Sequence, residues 1–351
     1  MTAWLWAGFI AYVLLMLAVD LLFINRKAHV VRARESLIWT GVCVAMALMF
    51  TGVVYYIYEH NWMGIASRYS EQVARMGPGE AAAGGGATTS LGVRAATEFI
   101  TGWMIEYSLS LDNIFVIALI FAHFKIKPQF QHRLLFWGIL GALVMRGGMI
   151  VAGSALIERF HWIIYVFGAI LIFTAVKMLT NKEADFDPEH GFVFRTARKL
   201  LPVSEAREDN RFFVRSAGRL MVTPMFLVLL VIETTDVIFA VDSIPAIFAV
   251  TKDPFLVFTS NVFAIMGLRS LYFALASLMD RFGNLKFSLA FVLAFVGVKM
   301  LLTAVDIHIS SLVSLGVIAA ALAVGVGTSM FMSKPTPKLD AEERKSHRPT
   351  L

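Results

Sequence analysis

Residues 223–250 read TPMFLVLLVIETTDVIFAVDSIPAIFAV. Those 28 residues are long enough to cross the roughly 30 Å of hydrocarbon in a bilayer as one helix. The run is apolar apart from its ends and Glu233, Thr234, Thr235, Asp236, Asp242 and Ser243. A central acid costs about 2.5–3.5 kcal/mol to insert against lipid, so these acids must face a polar interior, carry protons or pair with cations. The segment therefore reads as a transmembrane helix with an inward polar face, and the rest of the chain must supply the bundle around it.

The composition agrees. Of 351 residues, 58% are hydrophobic and 16% charged, and the mean hydropathy is +0.71. A soluble domain is about a quarter charged, so a soluble enzyme, a disordered scaffold and a secreted disulfide module are excluded. The single cysteine, Cys43, permits no internal disulfide and no thiolate metal cluster. The fold class expected is all-α: a polytopic transmembrane helical bundle of about nine spans. Apolar windows place them near 3–24, 37–58, 99–122, 134–157, 161–179, 224–250, 255–278, 287–305 and 309–332.

Lysine and arginine set the orientation. With the N-terminus outside, segments 25–36, 123–133, 180–219, 279–286 and the tail carry 22 basic residues, and the opposite side carries about 5. The expectation is N-out, C-in. The formal charge of +6 is then topological information, and no nucleic-acid partner is expected. Within a transmembrane domain at 1–332, the outer loop 59–98 holds Gly77-Pro78-Gly79 and AAAGGGATTS, a flexible linker composition. The cytoplasmic loop 180–219 mixes acids with eight basic residues, as a short amphipathic or interfacial segment would. Residues 333–351 read as a disordered cytoplasmic tail.

Spans three to five (about 99–179) and six to eight (about 224–305) read as copies of one unit. Asp112-Asn-Ile-Phe-Val-Ile aligns with Asp236-Val-Ile-Phe-Ala-Val, Arg146 with Arg269, Arg159-Phe160 with Arg281-Phe282, and Lys177-Met-Leu with Lys299-Met-Leu. A three-span unit repeated in tandem must cross in opposite senses, giving an inverted repeat. Such repeats characterise secondary transporters, whose sites lie near the midplane where the copies meet.

Span three, TGWMIEYSLSLDNIFVIALIF at 101–121, adds Glu106 and Asp112 to the three acids of span six. Glu233 and Asp236 share a helix face, whereas Asp242 projects from the opposite side at about 100° per residue. Pro245 lacks an amide hydrogen and crowds the Val241 carbonyl, so a break in span six near Asp242 is expected, freeing a carbonyl oxygen. Carboxylate, amide, hydroxyl and carbonyl oxygens suit hard divalent ions: Mg²⁺, Ca²⁺ or Mn²⁺. The alternative is burial as ion pairs with Arg146 and Arg269, but two cations cannot neutralise five acids. Lys177 and Lys299, near opposite membrane faces, read as anchors.

At EYSLSLDNIFVIALIF, VTPMFLVLLVIETTDVIFAVDSIPAIFAVTKDPF, SNVFAIMGLRSLYF and VGVKMLL the chain resembles the TerC/Alx family of integral membrane proteins. The resemblance spans nearly everything but the Gly-rich loop and the tail. It implies a multi-pass protein of the bacterial inner membrane, with members linked to manganese export and thylakoid relatives linked to membrane biogenesis. It also implies that the intramembrane acids Glu106, Asp112, Glu233, Asp236 and Asp242 are the functional positions, with Asn113 and Ser243 beside them.

The function expected is export of Mn²⁺ from the cytoplasm through this carboxylate site, coupled to protons. A Ca²⁺- or Mg²⁺-proton exchanger and a membrane-assembly scaffold are the rivals. No enzyme activity and no resident cofactor are expected: the metal is cargo, and no HExxH or GxSxG pattern appears. The partners expected are the ion, protons and the bilayer.

Overall fold

The apolar runs above have no competing turn chemistry, and each becomes helical. The computed structural model describes residues 2–19, 33–75, 89–160, 162–180, 192–204, 211–216, 219–275, 285–305, 307 and 309–332. Its helices are α1 (Thr2–Val19), α2 (Ala33–Glu59), α3 (Ile65–Arg75), α4 (Leu91–His123), α5 (Pro128–Arg159), α6 (Ile163–Thr180), α7 (Phe192–Leu200), α8 (Pro224–Phe248), α9 (Pro254–Leu275), α10 (Leu285–Leu302) and α11 (Ser311–Met332). Seven of these are long and apolar enough to cross a membrane, and Trp4–Ala18 and Phe287–Leu302 are shorter apolar helices. Each of the nine apolar windows carries a helix among its described residues, and the chain is an all-α polytopic membrane protein.

Helix α4 runs through the middle. It packs against α9, α2, α8 and α11, while α5 packs against α8 and α9. The most extensive contact joins α6 to α10. It is made possible by two glycines: a Cβ on Gly168 would lie 3.0 Å from the Gly297 carbonyl oxygen, and one on Gly297 would lie 2.8 Å from that of Gly168. Backbones cannot approach so closely past any larger side chain. At the start of the chain, Phe9 of α1 lies 5.6 Å from Phe50 of α2 and 6.2 Å from Phe263 of α9, ring centre to ring centre.

Four expectations change. Helix α4 begins at Leu91, eight residues before the expected span. Ser90 caps it, accepting from the Val93 amide at 3.3 Å, and Glu59 at the end of α2 accepts from the Gly92 amide at 3.0 Å. Both oxygens answer amides that a helix start leaves unpaired. Second, part of the loop 59–98 is the helix α3, which buries Ile65, Ala66 and Tyr69 at helical spacing. Residues 76–88, with the Gly-rich run, lie outside the described residues, as does the tail 333–351.

Third, the loop 180–219 contains more than an amphipathic segment. Helix α7 buries Phe194 and Ala197 and leaves Arg195, Arg198 and Lys199 exposed. A hairpin follows, pairing Phe213–Ser216 antiparallel with Arg219–Val222, a small β element in an otherwise helical fold. Fourth, span six is not broken. Helix α8 continues from Pro224 to Phe248 with Pro245 inside it. Pro245 stands in the last turn, where the crowded Val241 carbonyl and one lost hydrogen bond fall at the helix end rather than its middle.

Candidate functional site

Because α8 is unbroken, its acids divide between two faces. Asp236 turns toward α5, where Arg146 donates from Nε to Oδ2 at 3.1 Å and from Nη2 to Oδ1 at 2.7 Å. Arg146 Nη1 also donates to Glu106 Oε1 on α4, and to Asn261 Oδ1 on α9 at 3.0 Å. The Asn261 amide donates to Glu106 Oε2 at 3.4 Å, and Ser110 Oγ to Glu106 Oε1 at 3.4 Å. Four helices thus meet at one guanidinium. Arg146, Glu106 and Asn261 are each at most 1% exposed, so the pairing is what makes the buried charges tolerable.

Asp242 stands on another face and accepts a 2.8 Å hydrogen bond from Thr174 Oγ1 of α6. Between it and Glu106 lies a cavity of about 260 Å³. Helix α4 lines it with Glu106, Leu109 and Asn113, and α6 with Thr174, Lys177 and Met178. Helix α8 contributes Ile238, Phe239, Asp242 and Ser243, and α10 contributes Leu289 and Leu293. Exposed Lys177 stands three residues before the end of α6. Asn113 Oδ1 and Ser243 Oγ are buried on this lining without a hydrogen-bond partner among the described residues. Such atoms cost about 1–3 kcal/mol each when left dry, and water or a bound ion is the usual resolution.

The structure divides the seven candidate ligands. Glu106, Asn113, Asp242 and Ser243 line one cavity, and Asp236 stands behind Arg146. Glu233 leans on α5, where a Cβ on Gly141 would overlap its carboxylate. The side chains of Asp112 and of Arg269, the second expected charge partner, lie outside the described residues. Among the described residues no three of His, Cys, Asp and Glu assemble into a cluster. The oxygen donors on the lining are two carboxylates, an amide and two hydroxyls, beside the Met178 thioether and the Lys177 ammonium. That donor set favours a hard divalent ion over zinc or copper.

Three participants escaped the sequence reading. Thr174 is a lone hydroxyl in an apolar span, and Asn261 sits in the polar triplet Thr259-Ser260-Asn261; both signals were visible but unremarkable. Lys177, expected as an anchor, lines the cavity. Lys299, aligned with it in the sequence, instead donates to Ser314 Oγ of α11 at 3.0 Å.

A second buried polar group lies near the start of α4. Arg94 Nε reaches Glu98 Oε1 at 3.1 Å, one helical turn apart. Tyr58 and Tyr69, with rings 5.2 Å apart, and Thr251 are buried with them. Asp253 caps α9, accepting from the Phe255 amide at 2.8 Å and the Leu256 amide at 3.2 Å. Burial pushes its carboxyl above the usual carboxylate range, against the pull of the Leu256 and Phe255 amides and of Tyr58.

Comparison with known proteins places this arrangement. The chain is 44% identical over 342 residues to an uncharacterized membrane protein of Myxococcus xanthus, covering 97% of this chain and 96% of the relative. It is 42% identical over 325 residues, 92% of each chain, to the "Putative membrane-bound redox modulator Alx" of Salmonella typhi. The protein of that name in Escherichia coli K12 is 42% identical over 320 residues, 90% of this chain and 91% of the relative. No solved structure matches. The model of the integral membrane protein TerC family matches residues 91–337, which takes in every residue of both buried groups except Tyr58 and Tyr69, and the chain belongs to that family.

Proposed function

We propose that the protein exports Mn²⁺ from the cytoplasm by alternating access, in exchange for protons. The observation that carries the reading is the cavity lined by Glu106 and Asp242 on facing helices, together with Asn113 Oδ1 and Ser243 Oγ, which have no hydrogen-bond partner among the described residues. On the orientation from the charge distribution, the end of α6 at Lys177 faces the cytoplasm, so an ion would enter there. It would be held by Glu106 and Asp242, helped by the amide and hydroxyl oxygens, and leave on the far side as protons take its place. The matched units supply the moving parts: α4–α6 rock against α8–α10, as inverted repeats do in secondary transporters. The membrane is the bacterial inner membrane, and the chain carries out no catalysis.

Oxygen ligands separate Mn²⁺ poorly from Ca²⁺ and Mg²⁺, which keeps a Ca²⁺- or Mg²⁺-proton exchanger as the nearest rival. A scaffold role would need no cavity beside the carboxylates. The redox role in the name of the Alx relatives has less support in this chain, whose one cysteine leaves no dithiol to oxidise within it. Uptake into everted vesicles tests the reading. Manganese should accumulate in a proton-gradient-dependent way and be displaced weakly by excess Ca²⁺ or Mg²⁺. Stronger displacement by either of these ions would reassign the cargo, and absence of metal-dependent uptake would leave the scaffold.

A further inference from the structure

Glu106 belongs to two environments at once. It is one of the residues that line the cavity, and its Oε1 accepts from Arg146. Arg146 is held from three sides. Asp236 takes two of its nitrogens, and Asn261 takes the same Nη1 that reaches Glu106. Asn261 bridges the pair by donating to Glu106 Oε2. The guanidinium therefore remains paired with Asp236 and Asn261 if Glu106 turns away, whereas a cation in the cavity needs Glu106 as one of only two carboxylates among the described lining residues. A bound divalent ion and Arg146 compete for the same oxygen atoms.

We infer that Arg146 is a built-in counter-ion, which occupies Glu106 when the cavity is empty and must yield it for the cargo ion to bind. The inference rests on the metal-transport reading and adds its regulation. Charge explains why such a device is useful. An empty site with two unshielded carboxylates in low dielectric would be costly and would attract monovalent cations. Arg146 and Lys177 set two positive charges against the carboxylates of Glu106, Asp236 and Asp242, so with Arg146 in place the empty site keeps a smaller negative excess. A divalent ion offers twice the charge of a monovalent one and displaces the guanidinium more readily. Resident competition also lowers apparent affinity, which helps release. If Glu106 is free of Arg146 in about one molecule in ten, apparent affinity falls about tenfold.

The test compares equilibrium Mn²⁺ binding and Na⁺ binding in purified wild type, R146Q, R146K and Asn261→Ala, with monodispersity checked for each. A competitor predicts that R146Q binds Mn²⁺ about tenfold more tightly than wild type, and gains Na⁺ binding that wild type lacks. R146K, which keeps the charge but loses the fork, should lie between wild type and R146Q, as should Asn261→Ala, which removes the bridge between Arg146 and Glu106. A purely structural Arg146 predicts the reverse sign: weaker Mn²⁺ binding in R146Q. Should R146Q not purify, the two milder variants decide by the same sign. Unchanged or weakened Mn²⁺ binding in the variants, with wild type binding normally, overturns the inference. No Mn²⁺ binding by wild type overturns the transport reading instead.

Discussion

Helix α4 carries two buried glutamates eight residues apart, and their surroundings differ. Glu98 pairs with Arg94 on its own helix, one turn away, among tyrosines and the capping Asp253. Glu106 pairs with Arg146 on a different helix, is bridged by Asn261 from a third, and borders a cavity. A pair within one helix moves as a unit and holds the end of the bundle together. A pair between helices can be exchanged when those helices shift, and open space beside it admits a ligand. Buried charge alone does not mark a functional site in a membrane protein; charge shared between elements and adjoining space does.

The comparison can be broken most readily by exchanging roles. Glu106→Gln should reduce manganese flux in proteoliposomes to background, because it removes one of two cavity carboxylates, while the protein stays monodisperse. Glu98→Gln should do the opposite. Removing one partner of a buried pair costs about 3–5 kcal/mol, so its thermal transition should fall sharply, while flux per folded molecule stays within about twofold of wild type. Equal loss of flux in the two variants would erase the distinction.

A third substitution sharpens the contrast from the packing side. Gly297→Ala should cost about 1–3 kcal/mol through overpacking at the α6–α10 crossing, where Gly168 carbonyl oxygen would lie 2.8 Å from the new Cβ. Its stability would be read from chemical unfolding in detergent. The smallest effect expected is at Asp253, whose carboxyl is raised by burial. Its contribution to stability is full below the ordinary value of about 3.9 and is lost as pH rises through the elevated folded value. Asp253→Asn keeps a capping oxygen and should flatten that decline in thermal-shift profiles.

Much of the fold was legible because membrane insertion is unforgiving of backbone and charge. Each of the nine apolar windows carries a helix among its described residues, and Glu106 and Asp242 stood out against their spans. Arg146 was expected as a charge partner of these acids, but not which of them it would take: Asp236 is ninety residues away, and only the packing of α5 on α8 brings the two together. Pro245 misled, since its effect depends on whether it falls in mid-helix or in the last turn, and the helix end is set by the turn at Ala249 and Val250. Helix α3 was hidden because the Gly-rich run beside it dominated the reading of the whole loop. The hairpin at 213–222 was hidden by its brevity.

The most direct measurement is Mn²⁺ flux driven by a proton gradient in proteoliposomes containing wild type, Asp242→Asn or Glu98→Gln, at equal amounts of folded protein. The account predicts flux in wild type and Glu98→Gln and background flux in Asp242→Asn. Flux in Asp242→Asn equal to wild type, or no flux in wild type, would contradict it.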